Sequence, residues 1–261
     1  MSKKEWLDDL YRSYNHRKFV HPDPLQYLYA YAAPGDRELV SLISSSLAYG
    51  RVAQILNSVS RVLGRMGSTP TSFLLDRSLS DLLCLFKDFR HRFTTGDEVA
   101  YLLWGAKGLI ERYGSLYACF MAGLDRGDET VLPALSAFVG EIQTAFPKRE
   151  NSLLPSPEKG SACKRLNLFL RWMVRKDKVD PGGWDRVSPE KLMIPLDTHM
   201  HRIGRHLRFT HRNQADMRTV MDITCAFRKI APEDPVRYDF ALTRLGIRGD
   251  ADLRAFLDRA P

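Results

Sequence analysis

Apolar residues recur along this chain with a helical period. Val52, Ile55, Leu56, Val59, Val62, Leu63 and Met66 stand at i, i+3, i+4, i+7, i+10, i+11 and i+14, which winds them into one stripe on a helix that ends near Gly67. Upstream, residues 36–50 place Leu39, Val40, Ile43 and Leu47 on one face, and Ser44, Ser45 and Ser46 are small enough to admit a close neighbour. The same period predicts helices near 24–33, 79–87, 97–113, 129–145, 161–176, 189–195, 198–207, 215–230, 235–245 and 250–258. Pro34-Gly35, Pro155, Pro157, Pro181-Gly182-Gly183, Pro195 and Pro232 punctuate them. No period-2 alternation is long enough to argue for a sheet, so the pattern predicts an all-α fold.

A chain of 261 residues has room for one large domain or for two small helical lobes sharing a cleft. The seam falls at residues 146–157, a polar stretch holding three prolines. It separates an N-terminal lobe over 1–150 from a C-terminal lobe over 151–261, and reads as a surface connection within one compact unit. Apolar residues at 44% and charged residues at 27% fit an ordinary soluble globular protein.

Lys plus Arg total 39 against 31 Asp plus Glu, a formal charge of +8. That balance favours a polyanionic partner, because cationic surface gains affinity by releasing counterions from phosphates. The N-terminal segment has no apolar core or small-residue cleavage site, and so does not read as a secretory signal. The longest charge-free apolar runs, 39–50 and 130–140, fall well short of the ~18 residues a membrane span needs. Cys84, Cys119, Cys163 and Cys225 are scattered without a C-x-x-C pair, and read as free thiols of a reducing cytoplasm rather than a metal cluster. No cofactor or metal is expected, and a cytoplasmic monomer is.

Residues 159–178 carry the candidate chemistry. On a helix beginning near Ser161, Leu166, Phe169, Leu170 and Met173 share the buried face, while Lys164, Arg171 and Arg175 follow one another at i, i+7 and i+11 on a different, polar face. Lys164 thus stands in the first turn, where unpaired backbone N–H groups and a partial positive charge suit a phosphate. Gly160, Ser161 and Ala162 are small enough for a nucleic-acid backbone to approach the turn. The same field, with Lys159 and Arg165 beside it, disfavours an ammonium and favours an amine nucleophile. The plain alternative is a lysine that contacts phosphate or solvent.

Further along, Ile194, Pro195 and Leu196 make an apolar approach to Asp197, at the start of a helix that turns Ile203 and Leu207 inward. Asp197 reads as an N-cap worth about 1 kcal/mol. An apolar run delivering a carboxylate to a helix start can also aim it into a cleft, to help deprotonate a nucleophile or stabilise a developing sugar cation.

Asp197-Thr198-His199 with Arg202 and Ile203, preceded by Pro195 and Leu196, resembles the helix start that holds the catalytic aspartate in endonuclease III-type glycosylases. Gly160-Ser161-Ala162-Cys163-Lys164 resembles the hairpin turn of the same helix-hairpin-helix superfamily. The spacing between Lys164 and Asp197 and the Pro-x-Asp lead-in are closer to the archaeal 8-oxoguanine glycosylase branch. The resemblance is good over 155–207, weaker over 36–66 and suggestive over 234–247. It implies a fold of two helical lobes flanking a cleft, with duplex DNA carrying a damaged base as partner. It also implies Lys164 as the Schiff-base lysine, Asp197 as the catalytic carboxylate, and Lys159, Gly160, Ser161, Ala162, Arg165, His199 and Arg202 as nucleic-acid contacts. Three departures stand against it: Ala162 replaces the second hairpin glycine, the iron–sulfur cysteines are absent, and Pro181-Gly182-Gly183-Trp184 lengthens the linker. A non-catalytic DNA- or RNA-binding module that keeps only the phosphate contact is the alternative.

Tyr49-Gly50-Arg51 interrupts two periodic helices, and by position resembles the loop that fills the space left by a flipped base; an ordinary helix-ending glycine fits equally. Trp104, Trp172 and Trp184 read as core or rim aromatics, with Trp184 the best placed of them to stack on a base. His199 and His201 are two apart, about 200° round a helix, and cannot readily share a metal. Arg90-His91-Arg92 and Lys148-Arg149 read as solvated charges that can line a DNA path.

Overall fold

The computed structural model describes residues 2–148, 151–247 and 253–261. By its contacts the chain divides into two compact units, one of residues 22–156 and one of residues 1–21 with 157–261. The second joint lies at the end of the expected seam. The first 21 residues, however, belong with the C-terminal half, which their pattern does not reveal. The reason is local: α1 (Lys3–Tyr14) buries Trp6, Leu7 and Leu10, and Trp6 stacks on Phe256 with ring centroids 4.2 Å apart. Ser2 and Glu5 start α1 with a capping box, each side chain accepting from the other's backbone N–H.

The unit of residues 22–156 is helical. A 3-10 run, Pro24–Ala30, is capped by Asp23, whose side chain accepts from Leu25 N. It is followed by α2 (Pro34–Ser46), α3 (Val52–Met66), α4 (Pro70–Leu75) and α5 (Leu79–Phe86). A two-stranded antiparallel hairpin, β1 (Arg90–His91) and β2 (Thr94–Thr95), leads into α6 (Gly96–Tyr113), α7 (Leu116–Ala122) and α8 (Leu132–Gln143). The α3 stripe is as patterned: Ile55, Val59, Val62, Leu63 and Met66 are buried, and only its first residue, Val52, is exposed. Helix α6 is the hub, meeting α5, α7 and α8. Its first residue must be glycine, because a Cβ on Gly96 would stand 1.7 Å from the Phe86 carbonyl oxygen.

The other unit resumes with α9 (Lys164–Val174), α10 (Thr198–His206), α11 (Met217–Arg228), α12 (Asp239–Ile247) and α13 (Leu253–Leu257). Helix α1 lies against α12, as does α10. The expected helix over 189–195 is instead one 3-10 turn, Pro189–Lys191, followed by buried extended chain. Pro195 explains the difference: it lacks an N–H and holds Ile194 away from the helical region. Residues 250–252 of the expected last helix, and Arg149, lie outside the described residues. Among the described residues no helix is long and apolar enough to cross a membrane.

Candidate functional site

Lys164 is the first residue of α9, at the end of a tightly held turn. Pro157–Lys159 forms a single 3-10 turn, Gly160 takes φ 73°, and Cys163 enters the helix in the left-handed region at φ 48°. The turn is anchored from three sides. Gly160 O accepts from Met217 N at 3.0 Å and Ser161 bridges to Asp216, fixing it to the start of α11. Ser161 Oγ accepts from Cys163 N at 3.3 Å, and Asn167 Nδ2 donates to Ala162 O at 3.2 Å. Lys159 and Gly160 are exposed, whereas Ser161, Ala162, Lys164 and Arg165 are half-buried. Burial pushes the neighbouring Cys163 thiol up to about 11, against the pull of Ser161 and Arg165, so it stays protonated near neutral pH.

Asp197 is delivered as its sequence suggested. Leu192, Met193, Ile194 and Leu196 are all buried, and Ile194 N donates to Thr224 Oγ1 at 3.1 Å. Asp197 then caps α10, its Oδ1 accepting from Met200 N at 2.8 Å. The cap leaves the carboxylate half-buried, with its second oxygen not committed to the helix start.

The expected polar face of α9 is overturned beyond Lys164. Arg171 and Arg175 are buried, not solvated. Arg171 binds Asp180 through Nη2 at 3.1 Å and Asp239 through Nη1. Arg175 binds Asp177 and Asp234, each at 2.9 Å, and Asp180 as well. Tyr11 of α1 donates to Asp177 at 2.9 Å. Two guanidiniums are thus met by four carboxylates in a fixed network at the centre of this unit, as desolvated charges require. Asp239 is the unusual member: its Oδ1 is buried and has no hydrogen-bond partner among the described residues. Burial raises its carboxyl to about 6 despite Arg171, with the charges of Asp197 and Asp180 pushing the same way. Asp197 therefore lies within electrostatic reach of Asp239, which Arg171 holds. Arg171 is two turns along the stripe of α9 that Lys164 begins, seven residues and about 10 Å on. Sequence reasoning missed this network. The signal was there in part, as Asp177 and Asp180 follow the i, i+4 pair Arg171 and Arg175.

The remaining candidates of this unit divide. Trp184 is a core residue, not a rim aromatic: it is fully buried, meets Phe169 edge-on at 5.1 Å and donates its backbone N–H to Met173 O. His199 is half-buried and Arg202 exposed, on α10 directly after Asp197. His201 donates through Nε2 to Arg212 O at 3.0 Å. Among the described residues no group of three or more His, Cys, Asp or Glu could hold a metal ion.

Within the unit of residues 22–156, Tyr49, Gly50 and Arg51 join α2 to α3 and meet the hairpin before α6. Gly50 takes φ 94°, a conformation that residues with a Cβ rarely adopt, and a Cβ there would press on the Arg92 side chain, so glycine is favoured. Tyr49 is clamped: its hydroxyl donates to His91 O at 2.9 Å, and its own carbonyl accepts from His91 Nε2 at 3.0 Å. With Nε2 donating, His91 Nδ1 accepts from Ser58 Oγ at 2.9 Å. His91 is consequently buried, unlike its flanking arginines. On top lies Phe93, 62% exposed and stacked on Tyr49 at 5.0 Å and 23°, with Arg92 about 6 Å from both rings. Phe93 was not singled out by the sequence; one phenylalanine between charged residues carries no readable sign of exposure.

Comparison with protein families gives a match over residues 23–248 to the family described as "Protein of unknown function (DUF2400)". Searches of curated proteins and of solved structures give no match.

Proposed function

The chain belongs to the DUF2400 family, and we propose that it is a DNA repair enzyme, a glycosylase with abasic-site lyase activity that removes an oxidised purine through Lys164. The observation that carries this reading is the placement of Lys164 and Asp197 within one unit. Lys164 opens α9 from an anchored turn of small residues. Asp197 opens α10, coupled through Asp239 to Arg171 on the lysine's own stripe. The choice of 8-oxoguanine as lesion rests on the resemblance to the archaeal branch.

In the proposed reaction the Lys164 Nζ lone pair attacks C1′ of the damaged nucleotide and the bond from C1′ to the base breaks, the base leaving with the electron pair and taking a proton. Asp197 stabilises the positive charge on the sugar and accepts a proton from the nitrogen. Opening of the sugar ring gives an imine between Nζ and C1′. Loss of a C2′ proton then expels the 3′ phosphate by β-elimination, and water releases the lysine. The target base must first leave the duplex stack.

A second reading has its own support. Asp197 already caps α10, and a capped helix start together with an anchored turn of small residues before α9 suits a module that binds nucleic acid without acting on it. Asp197→Asn separates the two, since asparagine caps about as well as aspartate. Assayed on a panel of lesion-containing duplexes, the enzyme loses at least about 100-fold in excision rate on this change while keeping its affinity. A module without catalysis has no excision to lose, and wild-type protein inactive on every lesion duplex would remove the enzymatic reading.

A further inference from the structure

The outward face of α10 and the loop after it are strongly basic. Residues 198–213 contain four arginines and four of the chain's seven histidines, and no Asp or Glu. Thr198, His201, Arg202, Arg205 and His206 fall at i, i+3, i+4, i+7 and i+8, one face of the helix, and line a groove of about 470 Å³. The opposite face is buried through Met200, Ile203 and Gly204. Gly204 seats the helix so closely that a Cβ would lie 2.5 Å from Ile223 Cδ1. The groove therefore stands on a closely packed helix.

Several arginines of this unit are met by carboxylates. Arg171 and Arg175 share four aspartates, and Arg212, on the loop after α10, is held by Asp216 at 2.6 Å and by Thr219. Arg202 and Arg205 are exposed, and neither has a hydrogen-bond or ion-pair partner among the described residues. His201 and His206 are oriented by neighbours: His201 Nε2 donates to Arg212 O, and His206 Nε2 lies 3.4 Å from Asp258 Oδ1. Two adjacent guanidiniums left without carboxylates repel one another, and an external anion relieves that repulsion.

We propose that this groove is the track that grips the phosphodiester backbone of nucleic acid, with Arg202 and Arg205 each neutralising a phosphate and Thr198 and the two histidines lining it. The proposal rests on the nucleic-acid reading above but not on the lysine chemistry. Its test is binding of the full chain to an undamaged, fluorescently labelled duplex, followed by anisotropy from about 50 to about 200 mM salt. Replacing both residues, R202Q with R205Q, removes two phosphate contacts, so the slope of log K against log salt becomes shallower by about 1.8, two contacts at about 0.9 each. Affinity falls to a similar degree on every duplex sequence. The pair R202K with R205K restores the slope, because counterion release follows charge. A glutamine pair with wild-type slope, at an unchanged thermal midpoint, overturns the track and leaves the glycosylase reading standing. Wild-type protein that fails to bind duplex at about 50 mM salt overturns the track and the nucleic-acid reading together.

Discussion

Arg171 of α9 holds Asp239 of α12 through Nη1, and still the Asp239 carboxyl sits at about 6. Full burial outweighs the guanidinium, and Asp197 and Asp180 add negative charge nearby. The pair is thus the junction between a buried network that fixes α9 and the carboxylate that caps α10.

The raised Asp239 value fixes the sign of a pH effect. Folded protein keeps the Asp239 proton to higher pH than unfolded chain does, so between about 4 and 6 the folded state binds more protons and stability falls as pH rises. The contribution is present below the ordinary value of 3.8 and lost as pH passes about 6. Asp239→Asn has no proton to lose. Its unfolding free energy relative to wild type therefore improves from pH about 4 to pH about 7.5, by an amount on the order of 2–3 kcal/mol, and its melting temperature rises with it. Parallel curves for the two proteins would contradict this.

Breaking the network costs more than any surface change. Arg171→Met leaves Asp180 and Asp239 buried beside an apolar side chain, and urea unfolding should show a loss of about 3–5 kcal/mol. A loss below about 1 kcal/mol would mean that the network is solvated.

Phe93 gives the opposite expectation. At 62% exposure its removal touches little of the core, so Phe93→Ala keeps stability within about 0.5 kcal/mol. A loss of more than about 1 kcal/mol in urea unfolding would contradict this.

Gly50→Ala tests the platform beneath it. The left-handed backbone and the contact with Arg92 together cost about 1–3 kcal/mol, with the hairpin tip displaced. A melting temperature matching wild type would show that the loop does not need its glycine.

The sequence made the long elements readable because period and punctuation agree there. The α3 stripe runs about four turns without conflict, and the apolar run before Asp197 places it at a helix start. Helices α4 and α7, at six and seven residues, are too short for a period to register. The segment 189–195 looked helical by composition until Pro195 imposed extended chain. Arg171 and Arg175 were misread for a physical reason: charges at i, i+4 usually face water, and two of the carboxylates that bury these, Asp234 and Asp239, lie 59 and 68 positions away. That distant pairing leaves no local trace. Trp184 followed the same rule in reverse, as a Pro-Gly-Gly loop suggested a rim and folded into the core.

The most direct measurement of the central claim is borohydride reduction during reaction with an 8-oxoguanine duplex, which converts an imine into a stable amine. The proposed chemistry predicts a protein–DNA adduct mapping by peptide mass to Lys164, absent from Lys164→Ala and weakened in Asp197→Asn. An adduct undiminished in Lys164→Ala, or none with the wild-type protein, would contradict it.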